Sequence, residues 1–473
     1  MLSLIVTSIK NNALILLAST FVGIITQIIQ FVLLGRLLTP EQMGIASIVL
    51  VVVVFAQMFT DFGLSGYYVH RQSAEKTEKS TLYWLNVGLG FAVGIVVLAV
   101  APIIAYFYQN SSITVLVSLC ALSFPIIAAG SQFQAYLLKT FRYKRIVAVE
   151  IITRLVALSV FAMAIWIDAD PIVVVIGHLA MSIVKTLLLL VLVPRSEYPS
   201  FVFDRQYVHG GLSYGSYLIM GQFLNQVTAN LDKILIGKFI GLSSLGTYTL
   251  AKDLAMRAMQ VINPMVNKLC LPKYAQAQND QNELNLIVSN TLLVLGFFSS
   301  IIFIGIAHFA ELIVQILYGS GKEDIAKVLS IIAFYVLFRS FGNISGTLLN
   351  AVGQTKRDFQ WNICAALIAL PTIFTLVQFS FEYMVAGIVL LQLCLTLVSY
   401  FIIIKPILSM SFMRYCVAVV LFPAIGIAIG IPVSTMVGSD TLQLILSFLL
   451  WLALYVAVAF VLYKTLLRKF YVS

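Results

Sequence analysis

Six basic residues lie inside stretches that are otherwise apolar: Arg154, Lys185, Lys233, Lys252, Arg257 and Arg339. A charged side chain at mid-bilayer costs about 2.5–3.5 kcal/mol on insertion scales, so these groups must face protein or water. Helical spacing shows where. Arg339, Asn343, Gly346 and Asn350 follow i, i+4, i+7, i+11 and share one narrow face. Thr249, Lys252, Asp253, Gln260, Asn263 and Asn267 fall within an arc of about 100°, with Arg257 at its margin. Gln222, Asn225, Gln226 and Lys233 form another face, flanked by Asn230 and Asp232. Further stripes run through Asn12, Ser19, Gly23, Thr26 and Gln30, through Gln57, Thr60, Asp61 and Tyr68, and through His178, Ser182 and Lys185. Arg offers a planar, bidentate fork of donors, Lys a point charge, and Asn and Gln both donors and acceptors. That inventory binds rather than cuts bonds. The sequence shows no paired carboxylates, metal-ligand cluster, Ser-His-Asp arrangement or phosphate loop in credible context. No catalytic residue, metal or cofactor is therefore expected, and the chain does not read as an enzyme.

The elements that carry these stripes follow from composition. The 473 residues are 61% hydrophobic and 10% charged, with a mean hydropathy of +1.01; soluble domains carry roughly 25% charged residues. A run of about 20 apolar residues spans a bilayer as a helix. Fourteen runs are read, at about 12–38, 43–68, 81–108, 112–138, 146–168, 171–193, 210–238, 244–270, 284–308, 325–350, 359–379, 383–404, 412–433 and 441–463. The expected fold is an all-α integral membrane protein. Continuous rather than alternating hydrophobicity excludes a β-barrel. Pro102, Pro125, Pro423 and Pro432 fall in or beside such runs, where membrane helices tolerate them. The first run is too long for a cleaved signal. Five cysteines without a CxxC imply neither a disulfide framework nor a zinc site.

The net charge of +10 is explained by its placement and signals no nucleic acid. Nineteen of the 29 Lys and Arg lie at the ends of the chain and in every second connector, the Lys139–Arg145 and Lys356–Arg357 turns among them. Only Arg36, Lys238, Lys322 and Lys327 occupy the other connectors. The positive-inside rule then puts both termini in the cytoplasm, which an even number of spans also requires.

The chain also repeats itself. Leu-Leu-Gly-Arg-Leu-Leu-Thr-Pro-Glu-Gln-Met-Gly from Leu33 returns as Leu-Ile-Gly-Lys-Phe-Ile-Gly-Leu-Ser-Ser-Leu-Gly from Leu235, so that Gly35 meets Gly237 and Gly44 meets Gly246 at an offset of 202 residues. Leu137, Leu138, Lys144 and Arg145 return as Leu348, Leu349, Lys356 and Arg357. Two-fold pseudosymmetric membrane proteins work by rocking one half against the other. The expected organisation is an N-terminal lobe at 1–200, a C-terminal lobe at 201–405 and an extra helix pair at 406–473.

Two readings of the stripes stand side by side. Asn, Gln and Ser also serve as interhelical glue, worth roughly 0.6–2 kcal/mol each, although glue does not need Lys and Arg. Asp253 with Arg257, and Glu150 with Arg154, have the i, i+4 spacing of a local pair. Arg339 and Lys185 have no acid within four residues. Thr39, Pro40 and Gln42 read as a capping box that opens the second helix, and His70, His209 and His308 as solvated loop-edge residues.

Gly-Arg-Leu-Leu-Thr-Pro-Glu-Gln-Met-Gly from Gly35, then Phe-Ala-Gln-Met-Phe-Thr-Asp-Phe-Gly-Leu from Phe55, resembles the opening of the Wzx-type oligosaccharide flippases, especially the colanic-acid exporter group. Asn-Leu-Asp-Lys-Ile-Leu-Ile-Gly-Lys-Phe-Ile-Gly from Asn230 and Leu-Gly-Thr-Tyr-Thr-Leu-Ala-Lys from Leu245 extend the likeness. The superfamily also holds lipid II flippases and multidrug and toxin extruders. The resemblance covers essentially the whole chain, and its most specific motifs lie in roughly 30–72 and 225–275. It implies two six-helix lobes in a V around a central cavity lined mainly by spans 1, 2, 7 and 8. It further implies a cargo of oligosaccharide on undecaprenyl diphosphate, moved from the cytoplasmic to the periplasmic leaflet of the bacterial inner membrane by alternating access. Expected partners are that lipid-linked oligosaccharide, membrane lipids, and polysaccharide polymerase and chain-length machinery.

A diphosphate with acidic sugars suits cationic and amide groups. Expected substrate-binding residues are Arg339, Lys252, Arg257, Lys233, Lys185, Asn225, Gln222, Gln30, Asn263 and Asn343. Coupling to a proton or sodium gradient is expected through Asp61, Asp232 or His178, with Asp61 ahead because no basic residue lies within a turn of it. The competing readings are a multidrug or cation extruder, which would want an acidic, aromatic cavity, and a membrane glycan polymerase or ligase, which would want a sizeable external loop.

Overall fold

In the computed structural model the described residues are 2–71, 75–435 and 441–472; side chains are described except at 2–18, 214, 217–218, 220–221, 261–265, 267–269, 434–435, 441–442 and 463–472. Among them there is no β-strand. Lipid gives the backbone no partners of its own, so each long apolar run satisfies its N–H and C=O groups internally as a helix. The chain divides into two compact units, 1–246 and 247–473.

The first unit contains α1 (Leu2–Leu37), α2 (Pro40–Asp61), α3 (Leu64–His70), α4 (Lys76–Tyr108), α5 (Ser112–Ala121), α6 (Ser123–Lys139), α7 (Tyr143–Ile167), α8 (Ile172–Leu192) and α9 (Gln206–Leu235). Thr39 caps α2 through a capping box with Gln42. The run 112–138 is broken at Leu122 into α5 and α6, a division the apolar pattern hides. Helices α6, α7 and α8 share a core of Phe133, Leu137, Ile146, Val149, Leu189 and Val193. The connector after α8 is pinned to α4: Lys79 pairs with Glu197 at 2.7 Å, Trp84 donates to the Ser200 carbonyl at 2.9 Å and stacks on Phe201. Although α9 follows that connector, it packs against α2, α3 and α4. A π-helical turn, Ile236–Ile240, ends it.

The next helix, α10 (Leu242–Gln276), starts in the first unit and continues in the second. There follow α11 (Gln281–His308), α12 (Ala310–Tyr318), α13 (Glu323–Ala351), α14 (Thr355–Leu376), α15 (Phe381–Ser399), α16 (Lys405–Ile407), α17 (Phe412–Cys416), α18 (Phe422–Thr435) and α19 (Thr441–Val472). The order of elements repeats that of the first unit: α5 begins at Ser112 and α13 at Glu323, α7 at Tyr143 and α14 at Thr355. Even the turns agree, with Phe141 and Gly353 both at positive φ before α7 and α14.

The last helices dock on α11. Gly426 makes room for Ile304, the Trp451 indole donates to the Gly426 carbonyl at 3.0 Å, and Tyr455 stacks on Trp451. His308 corrects the expectation of a solvated side chain: its Nε2 is buried, and Gly430 makes room for the ring. Twelve helices among the described residues are long and apolar enough to cross a membrane. The seventh and eighth expected runs coincide with α9 and α10, which carry the densest polar stripes and are not among the twelve.

Candidate functional site

Two polar clusters form inside the membrane-spanning part of the first unit. At the end of α2, one Asp61 oxygen accepts from the Ser65 hydroxyl and backbone N–H and from Asn86 Nδ2 at 3.1 Å. Asn86 donates as well to Ser131 Oγ at 2.5 Å. The expected coupling carboxylate therefore ties α2 to α3 and α4, and through Asn86 to α6. In the second cluster the Ser19 hydroxyl donates to Glu150 Oε2 at 2.5 Å, and Arg154 Nη1 donates to the Ser19 carbonyl at 3.3 Å. Gly23 gives Arg154 its space, because a Cβ there would fall on the guanidinium. Glu150 and Arg154 thus reach across to α1, which corrects the local-pair reading of their spacing. Both lie within electrostatic reach of Lys185 on α8.

His178 holds Ser123 Oγ at 3.1 Å, joining α8 to α6. Gln30 lies over Gly177 of α8. On α9, Gln222 and Asn225 are exposed, Asp232 is buried, and its carboxylate accepts from the Lys233 backbone N–H at 2.8 Å. Lys233 lines a small cavity with Ile48, Val51, Tyr108, Ile234 and Leu245.

In the second unit α10 and α13 bring two expected binding residues onto one ring. The Lys252 ammonium sits 5.7 Å from the centre of the Tyr335 ring and 5.5 Å from that of Tyr248. Arg339 Nη1 donates to the Tyr335 hydroxyl at 2.9 Å. Lys252 is only 6% exposed, and a desolvated cation over an aromatic face gains about 2 kcal/mol. Arg257 reaches Gln260 Oε1 at 3.4 Å, and the Asn343 carbonyl accepts from Thr347. The side chain of Asn263 lies outside the described residues. Sequence reasoning missed Tyr248 and Tyr335. The available signal was an aromatic four residues before each cation, the spacing that stacks side chains on one helical face.

A multi-pass helical membrane protein with internal repeats and cations drawn into its helical interior, Lys252 fully so, is the class that fold and site define. It shares the fold of lipid II flippase MurJ in an inward closed conformation, at a TM-score of 0.75 and 14% identity over 95% of this chain and 99% of that one. An inward-facing multidrug resistance MATE family transporter gives 0.65 and 13% over 80% and 92%. The chain belongs to the polysaccharide biosynthesis protein family, which it matches over residues 33–327. Relatives include the amylovoran biosynthesis protein AmsL of Erwinia amylovora, 28% identical over 74% of this chain and 91% of that protein. The lipopolysaccharide biosynthesis protein WzxC of Escherichia coli K12 is 27% identical over 82% and 79%, and the teichuronic acid biosynthesis protein TuaB of Bacillus subtilis 168 is 28% identical over 88% and 87%.

Proposed function

We propose that this chain is a flippase that carries undecaprenyl-diphosphate-linked oligosaccharide repeat units from the cytoplasmic to the periplasmic leaflet of the inner membrane, for assembly of a surface polysaccharide. The observation that supports this reading best is the Lys252–Tyr335–Arg339 cluster: a buried lysine and a half-buried arginine from different helices converge on one ring inside a membrane protein of this family. Cations of both kinds suit a diphosphate and disfavour a cationic drug as cargo. In this reading the chain is a transporter and not an enzyme. The repeats at 1–200 and 201–405 alternate access to a central cavity, all fourteen runs span, and both termini are cytoplasmic. A proton or sodium gradient supplies direction through Asp61, Asp232 or His178, and polymerase and chain-length proteins take over the product. Deleting the gene should leave a lipid-linked glycan stranded on the inner leaflet, restored to export by the wild-type chain and not by Arg339→Ala at equal membrane levels. Normal export by Arg339→Ala would remove the cluster from the headgroup's path.

A further inference from the structure

Helices α2 and α4 turn matching apolar stripes toward each other without closing the space between them. The stripes run from Ile48 to Phe59 on α2, with Phe62 just beyond it, and from Leu89 to Tyr108 on α4, and a cavity of about 750 Å³ lies between them. Packed helices ordinarily stand 8–10 Å apart with their side chains interlocked. Asn86 of α4 donates to Asp61 of α2 at one end of this space, and at the other Tyr108 of α4 donates to the Ile234 carbonyl of α9. No charged residue lines the cavity, and Val96 and Ile103 on its rim are exposed.

Length and charge narrow the occupant. From Leu89 to Tyr108 the slot measures about 28 Å at 1.5 Å per residue, nearly the whole hydrocarbon core of about 30 Å. A phospholipid tail reaches through one leaflet, so filling this slot takes a chain longer than one leaflet. At the Tyr108 end stand two ammonium groups: Lys233 in the small cavity that shares Ile48, Val51 and Ile234 with the slot, and Lys238, whose Nζ lies over the Phe107 ring and donates to the Phe107 carbonyl at 2.6 Å. We propose that this slot holds the isoprenoid tail of a long-chain polyprenyl diphosphate, with the diphosphate at Lys233 and Lys238.

The assignment rests on the flippase reading, and its test separates the two. Protein in phosphatidylethanolamine–phosphatidylglycerol vesicles is photolabelled with undecaprenyl diphosphate bearing a diazirine in its tail. Label should fall on residues 48–62 and 89–108, and drop at least tenfold with excess unlabelled undecaprenyl diphosphate but not with the same excess of phosphatidylglycerol. Val93→Trp, which fills the slot, should reduce it by a similar factor at unchanged melting temperature. Lys238→Gln, on a half-exposed side chain, should raise the concentration needed for competition several-fold. Equal displacement by phosphatidylglycerol would mean that bulk lipid fills the slot. Label confined to 412–462 would overturn the slot and leave the flippase reading intact, whereas no specific label anywhere would count against both.

Discussion

Gly44 and Gly246, which the sequence repeat superposes at an offset of 202 residues, meet at the starts of α2 and α10 in reciprocal register. A Cβ on Gly44 would fall on the Leu242 carbonyl oxygen, and one on Gly246 would fall on the Pro40 carbonyl oxygen and 2.9 Å from the Gly44 nitrogen. Leu242 follows Pro40 by the same 202 residues, so each glycine meets the counterpart of what its partner meets. In an isologous contact the same patch serves both partners, as it does between these two helix starts.

This contact sets the first prediction. Gly44→Ala or Gly246→Ala alone should cost about 1–3 kcal/mol, the usual range for overpacking, read as a lowered melting temperature. One small separation of the helix starts relieves both clashes, so the double variant should cost clearly less than the sum of the two. Strict additivity would show that the glycines do not share one contact.

The Tyr335 cluster makes a second prediction. Tyr335→Phe keeps the ring under Lys252 and removes only the acceptor for Arg339, so export should fall less than in Tyr335→Ala. Arg339→Lys should rescue only in part, because the ammonium cannot reproduce the planar fork. Transport assays at matched membrane levels check both, and equal activity in Tyr335→Phe and Tyr335→Ala would remove the cation–π contact from the account.

Asp61 carries a third. Transport should respond to an imposed proton or sodium gradient, and Asp61→Asn should flatten that response while substrate still binds. An unchanged gradient dependence would leave Asp61 as a scaffold residue that fastens α2 to α4, a role its bonds to Ser65 and Asn86 already give it.

A fourth concerns the last helices. Trp451 is fully buried against Gly305 and bonded to Gly426, so Trp451→Ala should cost about 3–5 kcal/mol. A loss under 1 kcal/mol in a denaturation series would mean that the extra pair is only loosely attached to α11.

The helices were legible in the sequence because lipid forces each long apolar run to bond internally, whatever its partners. Break points inside a run were not, since α5 and α6 part at Leu122 within the continuous run 112–138. The polar stripes named the helices that hold buried charge, but partners across helices depend on packing that spacing on one helix cannot give. His178 holds Ser123 of α6, and Glu150 turns to Ser19 of α1. Where both partners sit one turn apart, as with Arg339 and Tyr335, the information was in the sequence, in an aromatic four residues before the cation.

The most direct test reconstitutes the purified chain into vesicles with undecaprenyl-diphosphate-linked oligosaccharide from the host strain and follows its exposure to a membrane-impermeant glycosidase. Wild-type protein should make essentially all of the glycan cleavable within minutes, while protein-free vesicles and Arg339→Ala should leave about half protected. If the wild-type chain leaves the protected half untouched across imposed proton and sodium gradients, the flippase account is contradicted.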